Sequence, residues 1–460
     1  MENKYKYLIK NTGILTIGSF SSKILAFLLV PLYTNVLNTK EYGTYDLITT
    51  TIQLLIPIIS VNIIEALMRF LLDSENNKKE IWAIGLKYIN LSIIIFLILI
   101  YINIKCKIWY DLSLYSATVI LYYITYIIYQ FLIQFGKGIE TVKEIACAGV
   151  ISTIGIVAFN ILFLLIFDFR LYGFFAAYIL GQAFASVYLF VSLDCVKYFS
   201  IKINKKLEKE MIFYTLPLIF NTLGWWANNV SDRYIVTWLC GISENGIYSV
   251  SYKIPVILNT IQTIFVQSWQ ISAVKEFNNP DSEKFYAKTF TYICMGMTIC
   301  CSCLILFTKT LASILFANEF YVAWKYVPFL LISNVVNAAS GVLGPILTAR
   351  KNSKALGKSA IYGVIVNTFL NLILVKIIGT QGAAIATLVS SMAIFVSRKK
   401  YISSIKYKDN KKIFVSWIVL ILQAVLIIKN VSFISQVVLL AFIICIYAYE
   451  IRSLINKIRN

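Results

Sequence analysis

The chain has no histidine, and only 22 of its 460 residues are acidic. It also lacks a Walker A motif and any glycine-rich phosphate loop leading into a helix, so nothing in it reads as a nucleotide site. Cys300, Cys301 and Cys303 include a CxxC spacing, but with no histidine anywhere this is a poor metal signal. Most of the nine cysteines lie inside apolar runs and outline no disulfide framework; they read as small core-filling residues. No catalytic constellation stands out, and the polar stretches are too short to hold a soluble catalytic domain. An enzyme is not expected, nor is a metal or organic cofactor.

What is present is apolar. Hydrophobic residues make up 59% of the chain and charged residues 14%, with a mean hydropathy of +0.76. No soluble fold needs that much, so the composition predicts a polytopic membrane protein. Short polar punctuation between long apolar runs predicts helices rather than the shorter, alternating strands of a β-barrel. The net charge of +20 invites a nucleic-acid reading, but nearly all of it lies in loops between hydrophobic spans, as the positive-inside rule describes. Nucleic acid is therefore not an expected partner. Lys4, Lys6 and Lys10 precede a long apolar run without an evident cleavage site, which reads as an uncleaved first helix.

The pattern predicts an all-α protein with 14 transmembrane helices, near 8–35, 44–68, 82–104, 113–135, 145–167, 171–193, 211–239, 246–271, 287–308, 323–347, 356–378, 380–397, 412–429 and 432–450. An even number puts both termini on one side. Assigning that side to the cytoplasm gives it most of the 42 Lys and Arg, with clusters at Lys197–Lys209 and Arg398–Lys412. The first cluster reads as a hinge between halves. The expected division is an N-terminal lobe at 1–196, a basic cytoplasmic linker at 197–210, a C-terminal lobe at 211–397, and a basic loop with two more helices at 398–460. An internal repeat supports it: Glu41-Tyr42-Gly43-Thr44-Tyr45 follows the first span and Glu244-Asn245-Gly246-Ile247-Tyr248 the seventh. Gly173-Phe174-Phe175-Ala176-Ala177 and Gly382-Ala383-Ala384-Ile385-Ala386 match at nearly the same offset. Two six-helix lobes related in this way are how many transporters place a site between halves.

Polar residues inside the spans mark the candidate site. Asn221, Trp225, Asn228 and Asp232 share one face of span seven, Arg233 follows, and Lys253 lies early in span eight. Span one carries Thr12, Thr16, Ser19 and Lys23 at helical spacing; span two carries Asp46, Thr49, Gln53, Pro57 and Ser60. Bilayer hydrocarbon costs such groups several kcal/mol, so they should face a wet central cavity. Lys23 either lines that cavity or pairs with a carboxylate such as Asp46. Arg233 lines it, reaches the interface, or pairs with Glu244. Glu65 and Arg69 have the spacing of an intrahelical ion pair at an inner gate. Trp225 and Trp226 are either packing residues or sugar-stacking faces. Pro31, Pro57, Pro217, Pro255 and Pro345 should kink their spans. With no ATP site, transport would draw on an ion gradient, Na+ or H+, or on the substrate's own gradient.

The segments Asn11–Lys23 (NTGILTIGSFSSK), Pro31–Tyr45 (PLYTNVLNTKEYGTY) and Ser231–Lys253, with its SDRYIV and GISENGIYSVSYK, resemble Wzx-type oligosaccharide flippases. That family belongs to the multidrug/oligosaccharidyl-lipid/polysaccharide exporter superfamily. The resemblance implies two lobes around a central cavity, alternating access, and undecaprenyl-pyrophosphate-linked sugar repeat units as substrate. It also implies the bacterial cytoplasmic membrane, a role in O-antigen, capsule or exopolysaccharide synthesis, and polymerase or other assembly proteins as partners. Lys23, Arg233, Lys253 and Arg69 would then meet the pyrophosphate, while Gln53, Asn221, Trp225 and Asn228 meet the sugars. Asp46, Glu65 and Asp232 would be coupling or pairing carboxylates. A cation-coupled drug antiporter, a peptidoglycan-precursor flippase and a non-transporting assembly scaffold are the alternatives.

Overall fold

The structure is a computed structural model and describes residues 27–73, 77–200, 202–277, 279–350, 352–402 and 410–459. Most of span one, including Thr12, Thr16, Ser19 and Lys23, lies outside the described residues, as does part of the Arg398–Lys412 loop. Among the described residues the chain is helical throughout and forms two compact units, Met1–Trp226 and Ala227–Asn460.

The first unit contains α1 (Val30–Val36), α2 (Thr39–Ile59), α3 (Ile63–Leu71), α4 (Lys78–Cys106), the short α5 (Tyr110–Leu114), α6 (Ser116–Gly138), α7 (Val142–Asn160, continued by a π-helical turn Ile161–Ile166) and α8 (Arg170–Ser192). The long α9 (Lys205–Cys240) starts in this unit and ends in the second. After it come α10 (Ile242–Ser251), α11 (Pro255–Lys275), α12 (Ser282–Leu306), α13 (Thr308–Leu315), α14 (Val327–Ala349), α15 (Ser353–Ile378), α16 (Thr380–Tyr401), α17 (Asn410–Ile428), α18 (Phe433–Ile446) and α19 (Ala448–Arg459). Nine helices among the described residues are long and apolar enough to cross a membrane, or ten if the bent pair α2–α3 counts as one span. The protein is thus a multi-pass membrane protein. Helices α9 and α11 have the length but not the apolarity; asparagine, glutamine and threonine interrupt their hydrophobic runs.

Two expected spans are broken. Span two bends by 61° between α2 and α3, where Val61 and Asn62 adopt left-handed backbone angles four and five residues after Pro57. Span eight is interrupted at Tyr252–Ile254 between α10 and α11. Three of the five expected proline kinks are positioned to act, since Pro57, Pro217 and Pro345 lie inside helices. The other two do not kink a span: Pro31 sits in the first turn of α1 and Pro255 opens α11, positions where the missing N–H costs nothing.

The repeated motifs begin helices rather than occupying loops, and each joins two helix starts. In the first unit Asn38 and Glu41 form a capping box on α2, and Glu41 also pairs with Arg170, the first residue of α8, at 3.0 Å. In the second unit Glu244, near the start of α10, accepts from Thr380, the first residue of α16, at 2.9 Å. The repeated glycines mark where a helix presses on the segment before it. A Cβ on Gly173 would lie 2.9 Å from Phe163 Cβ, and one on Gly382 only 2.3 Å from the Leu374 carbonyl carbon. The first unit's core is aromatic, with Trp82 against Phe131 and Phe135 and with Phe96 stacked on Tyr123 at 4.0 Å. Lys87 of α4 bonds Glu208 in the first turn of α9 at 2.7 Å. That bond holds the Glu208 carboxyl below its usual range, so the tie is complete at neutral pH and weakens as pH falls through the lowered value.

Backbone has no room to yield at Gly382. Gly382→Ala should lower the thermal midpoint of the purified protein, at a cost of about 1–3 kcal/mol or more. Gly224→Ala, in a helix position with open space around it, should be neutral or stabilising by about 0.5–1 kcal/mol.

Candidate functional site

The candidate residues are divided between the units. In the first, Asp46 is buried while Gln53, Arg69, Asn221 and Trp225 are exposed. The threonines beside Asp46 are internally satisfied, because Thr49, Thr50 and Thr51 each donate to the carbonyl four residues earlier. That habit of threonine in apolar helices spends their polarity on the backbone. Trp226 Nε1 donates to the Thr50 carbonyl at 3.0 Å. Trp225 is 65% exposed.

The expected Glu65–Arg69 ion pair is not formed among the described residues. Glu65 accepts from Gln134 Nε2 at 3.3 Å instead, and both Glu65 and Arg69 are exposed on α3. The spacing was right for a pair, but α6 offers Glu65 a partner on another helix.

In the second unit the tightest polar arrangement surrounds Asp232. This carboxylate is 3% exposed. Its Oδ2 accepts from Tyr248 and Tyr252, each at 2.7 Å, and the two phenol oxygens lie 3.0 Å apart. Its Oδ1 accepts from the Arg233 backbone N–H at 2.9 Å. A buried carboxylate needs several donors to offset lost hydration, and three are present. The Arg233 guanidinium, half-buried, lies over the Tyr252 ring with 5.3 Å to the centroid. Tyr252 therefore faces both neighbours, its hydroxyl on the anion and its ring on the cation. The phenols come from α10 and the break after it, one helical turn apart, so the interruption at Tyr252–Ile254 positions the clamp on α9.

Lys253 lies within that break rather than in a helix, half-buried, with its N–H on the Val250 carbonyl at 2.9 Å. Glu244, one of the alternatives open to Arg233 from sequence, accepts from Thr380 and from Tyr326 at 3.3 Å. Asn228, half-buried, rests its Oδ1 3.6 Å from where a Cβ on Gly363 would lie. The face expected to run Asn221, Trp225, Asn228, Asp232 therefore passes from exposed to fully buried along α9. The clamping tyrosines were missed from sequence, although their i, i+4 spacing four turns beyond Asp232 was visible. Among the described residues no three Cys, Asp or Glu side chains are grouped to hold a metal ion.

Each phenol bond to Asp232 is charge-assisted. Tyr248→Phe should cost about 1.5–3 kcal/mol in thermal unfolding. The Tyr248→Phe/Tyr252→Phe double variant should depart from additivity, since both hydroxyls share one oxygen and one another.

Comparison with known proteins places this geometry. None of the curated proteins compared matches the chain significantly. Among solved structures, the fold is similar to a lipid II flippase MurJ in an inward closed conformation, with TM-score 0.73 and 15% identity over 96% of this chain and 100% of that one. It is also similar to an inward-facing multidrug resistance MATE family transporter of the MOP superfamily, with TM-score 0.64 and 14% identity over 83% and 95% of the two chains. A MOP superfamily transporter from Pyrococcus furiosus gives TM-score 0.58 and 13% identity over 86% and 95%. These likenesses establish the fold. The model of the family described as polysaccharide biosynthesis protein matches residues 8–270, more than half of the sequence, and the chain belongs to that family.

Proposed function

We propose that this protein is a flippase carrying undecaprenyl-pyrophosphate-linked oligosaccharide repeat units from the inner to the outer leaflet of the bacterial cytoplasmic membrane. It works by alternating access, in O-antigen, capsule or exopolysaccharide synthesis, with both termini in the cytoplasm. The observation that carries the reading is the family match over residues 8–270. The fold shared with a lipid II flippase supports it, since moving a lipid-linked headgroup is the same physical task.

A pyrophosphate crossing hydrocarbon loses most of its hydration, and cationic groups in a low-dielectric setting offset that loss. Arg233 and Lys253, both half-buried in the second unit, are proposed for this role with Lys23. Arg69 is a further inner-side cation. Gln53, Asn221 and Trp225, all exposed, are proposed to meet the sugars with Asn228. Asp46 and Asp232, both buried, are the candidates for coupling to Na+ or H+, whereas Glu65, exposed and bonded to Gln134, suits an inner-side contact. The fold likeness to a MATE family transporter keeps a cation-coupled antiporter as the second reading, and the buried Asp232 is the group it would use. Polymerase and other assembly proteins are the proposed partners.

The test is the triple variant Lys23→Ala/Arg233→Ala/Lys253→Ala in the native cell, with membrane insertion checked by fractionation. Surface polysaccharide should be lost while the protein still inserts. Undiminished polysaccharide would overturn the cationic role, and lost peptidoglycan synthesis with intact polysaccharide would reassign the cargo.

A further inference from the structure

Arg398, in the last turn of α16, is a cation that the proposed transport role does not use. Its guanidinium reaches two neighbouring helices of the second unit. Nε donates to Ser359 Oγ on α15 at 3.1 Å, and Nη1 donates to the Ser340 carbonyl on α14 at 2.9 Å. Gly344 lies alongside: a Cβ there would sit 3.6 Å from Nη1, an ordinary van der Waals contact. Ser340 and Ser359 are buried, and the arginine is half-buried between them. Both partners are neutral, and among the described residues no carboxylate lies within ion-pair distance of Arg398. Its Nη2 makes no hydrogen bond among the described residues.

The local sequence is poor in acids. No aspartate or glutamate occurs between Glu319 and Asp409. The C-terminal ends of α14 and α16 and the N-terminal end of α15 instead carry or adjoin Arg350, Lys354, Lys358, Lys399 and Lys400. The distribution of Lys and Arg assigns these ends to the cytoplasmic side. A permanently charged group drawn toward low dielectric among other cations, with no acid within ion-pair distance among the described residues, is suited to an anion from outside the chain. A guanidinium oriented by two inward hydrogen bonds presents a planar edge that suits phosphate oxygens. Basic recesses between helices on the cytoplasmic side are where phosphate headgroups bind.

We propose that Arg398, in the last turn of α16 and held by Ser340 in the middle of α14 and Ser359 in the second turn of α15, seats the phosphate of a lipid headgroup in the inner leaflet. The proposal does not depend on which cargo the protein moves. Two lipids supply this chemistry, a resident anionic phospholipid and a polyprenyl pyrophosphate. The competing account is a plain staple: Arg398 bonds the carbonyl next to Gly341, whose helical N–H partner would be residue 345, and Pro345 has no N–H.

The experiment uses the full-length protein in detergent. Native mass spectrometry measures retained lipid, and thermal melting is titrated with phosphatidylglycerol, undecaprenyl pyrophosphate or phosphatidylcholine. Wild type should bind one of the two anionic lipids more tightly than phosphatidylcholine. Arg398→Gln should weaken that binding about tenfold, the loss of one charge-assisted pair. Arg398→Lys, which keeps charge but not the fork, should fall between them, as should Ser359→Ala, which keeps the guanidinium and loosens its aim. These last two carry the test if Arg398→Gln does not fold. Preference for phosphatidylglycerol identifies a structural phospholipid, and preference for undecaprenyl pyrophosphate identifies a lipid-linked cargo. A lower lipid-free melting point with unchanged affinity for both lipids would establish the staple and overturn the proposal, as would equal binding by all variants.

Discussion

A polar group inside an apolar helix bundle must be answered by another polar group, and most of what is specific in this molecule follows from how each one is answered. Threonines of α2 turn back on their own carbonyls. Asp232 is held by two phenols and an amide. Glu41 and Glu244 are used at helix starts, where they bind the first residue of α8 and of α16. Those answers remove polarity that would otherwise have to be hydrated, and they leave a smaller group of charged side chains with work to do. Asp232 takes its donors from two phenols and the Arg233 backbone N–H, while the Arg233 guanidinium lies over the Tyr252 ring.

The two halves solve one packing problem with different chemistry. Each uses a motif glutamate and, near the start of the helix that the glutamate binds, a glycine that allows close approach. In the first unit the glutamate meets an arginine; in the second it meets a threonine hydroxyl and a tyrosine. Tyr45 packs edge-on against Phe174 at 4.3 Å, whereas its counterpart Tyr248 is drawn into the Asp232 clamp. The repeat thus preserves the helix contacts, while the motif tyrosine takes different partners in the two halves.

Reading charge by distribution rather than by total served twice. A net +20 spread evenly would say little, but its concentration in inter-span segments marks a membrane protein, and the acid-free stretch from Glu319 to Asp409 isolates Arg398. The acid-free stretch is plain in the sequence, but a span-end arginine ordinarily snorkels to water. Only its hydrogen bonds to Ser359 and Ser340 show that it turns inward.

The amino-acid sequence by itself determined the helical membrane class, the repeat, and the residue types at issue, because apolar content and periodicity depend on composition and local spacing alone. It could also nominate Asp232 and Arg233, whose charge is conspicuous against their surroundings. Tertiary structure alone decided partners. Glu65 bonds Gln134 rather than Arg69, Glu244 bonds Thr380 rather than Arg233, and the tyrosines close on Asp232 through a break that no helical periodicity announces. The reason is reach: a side chain's best donor in a bundle sits on a neighbouring helix, and which helices are neighbours is settled by glycine-sized approaches such as Gly382 on Leu374.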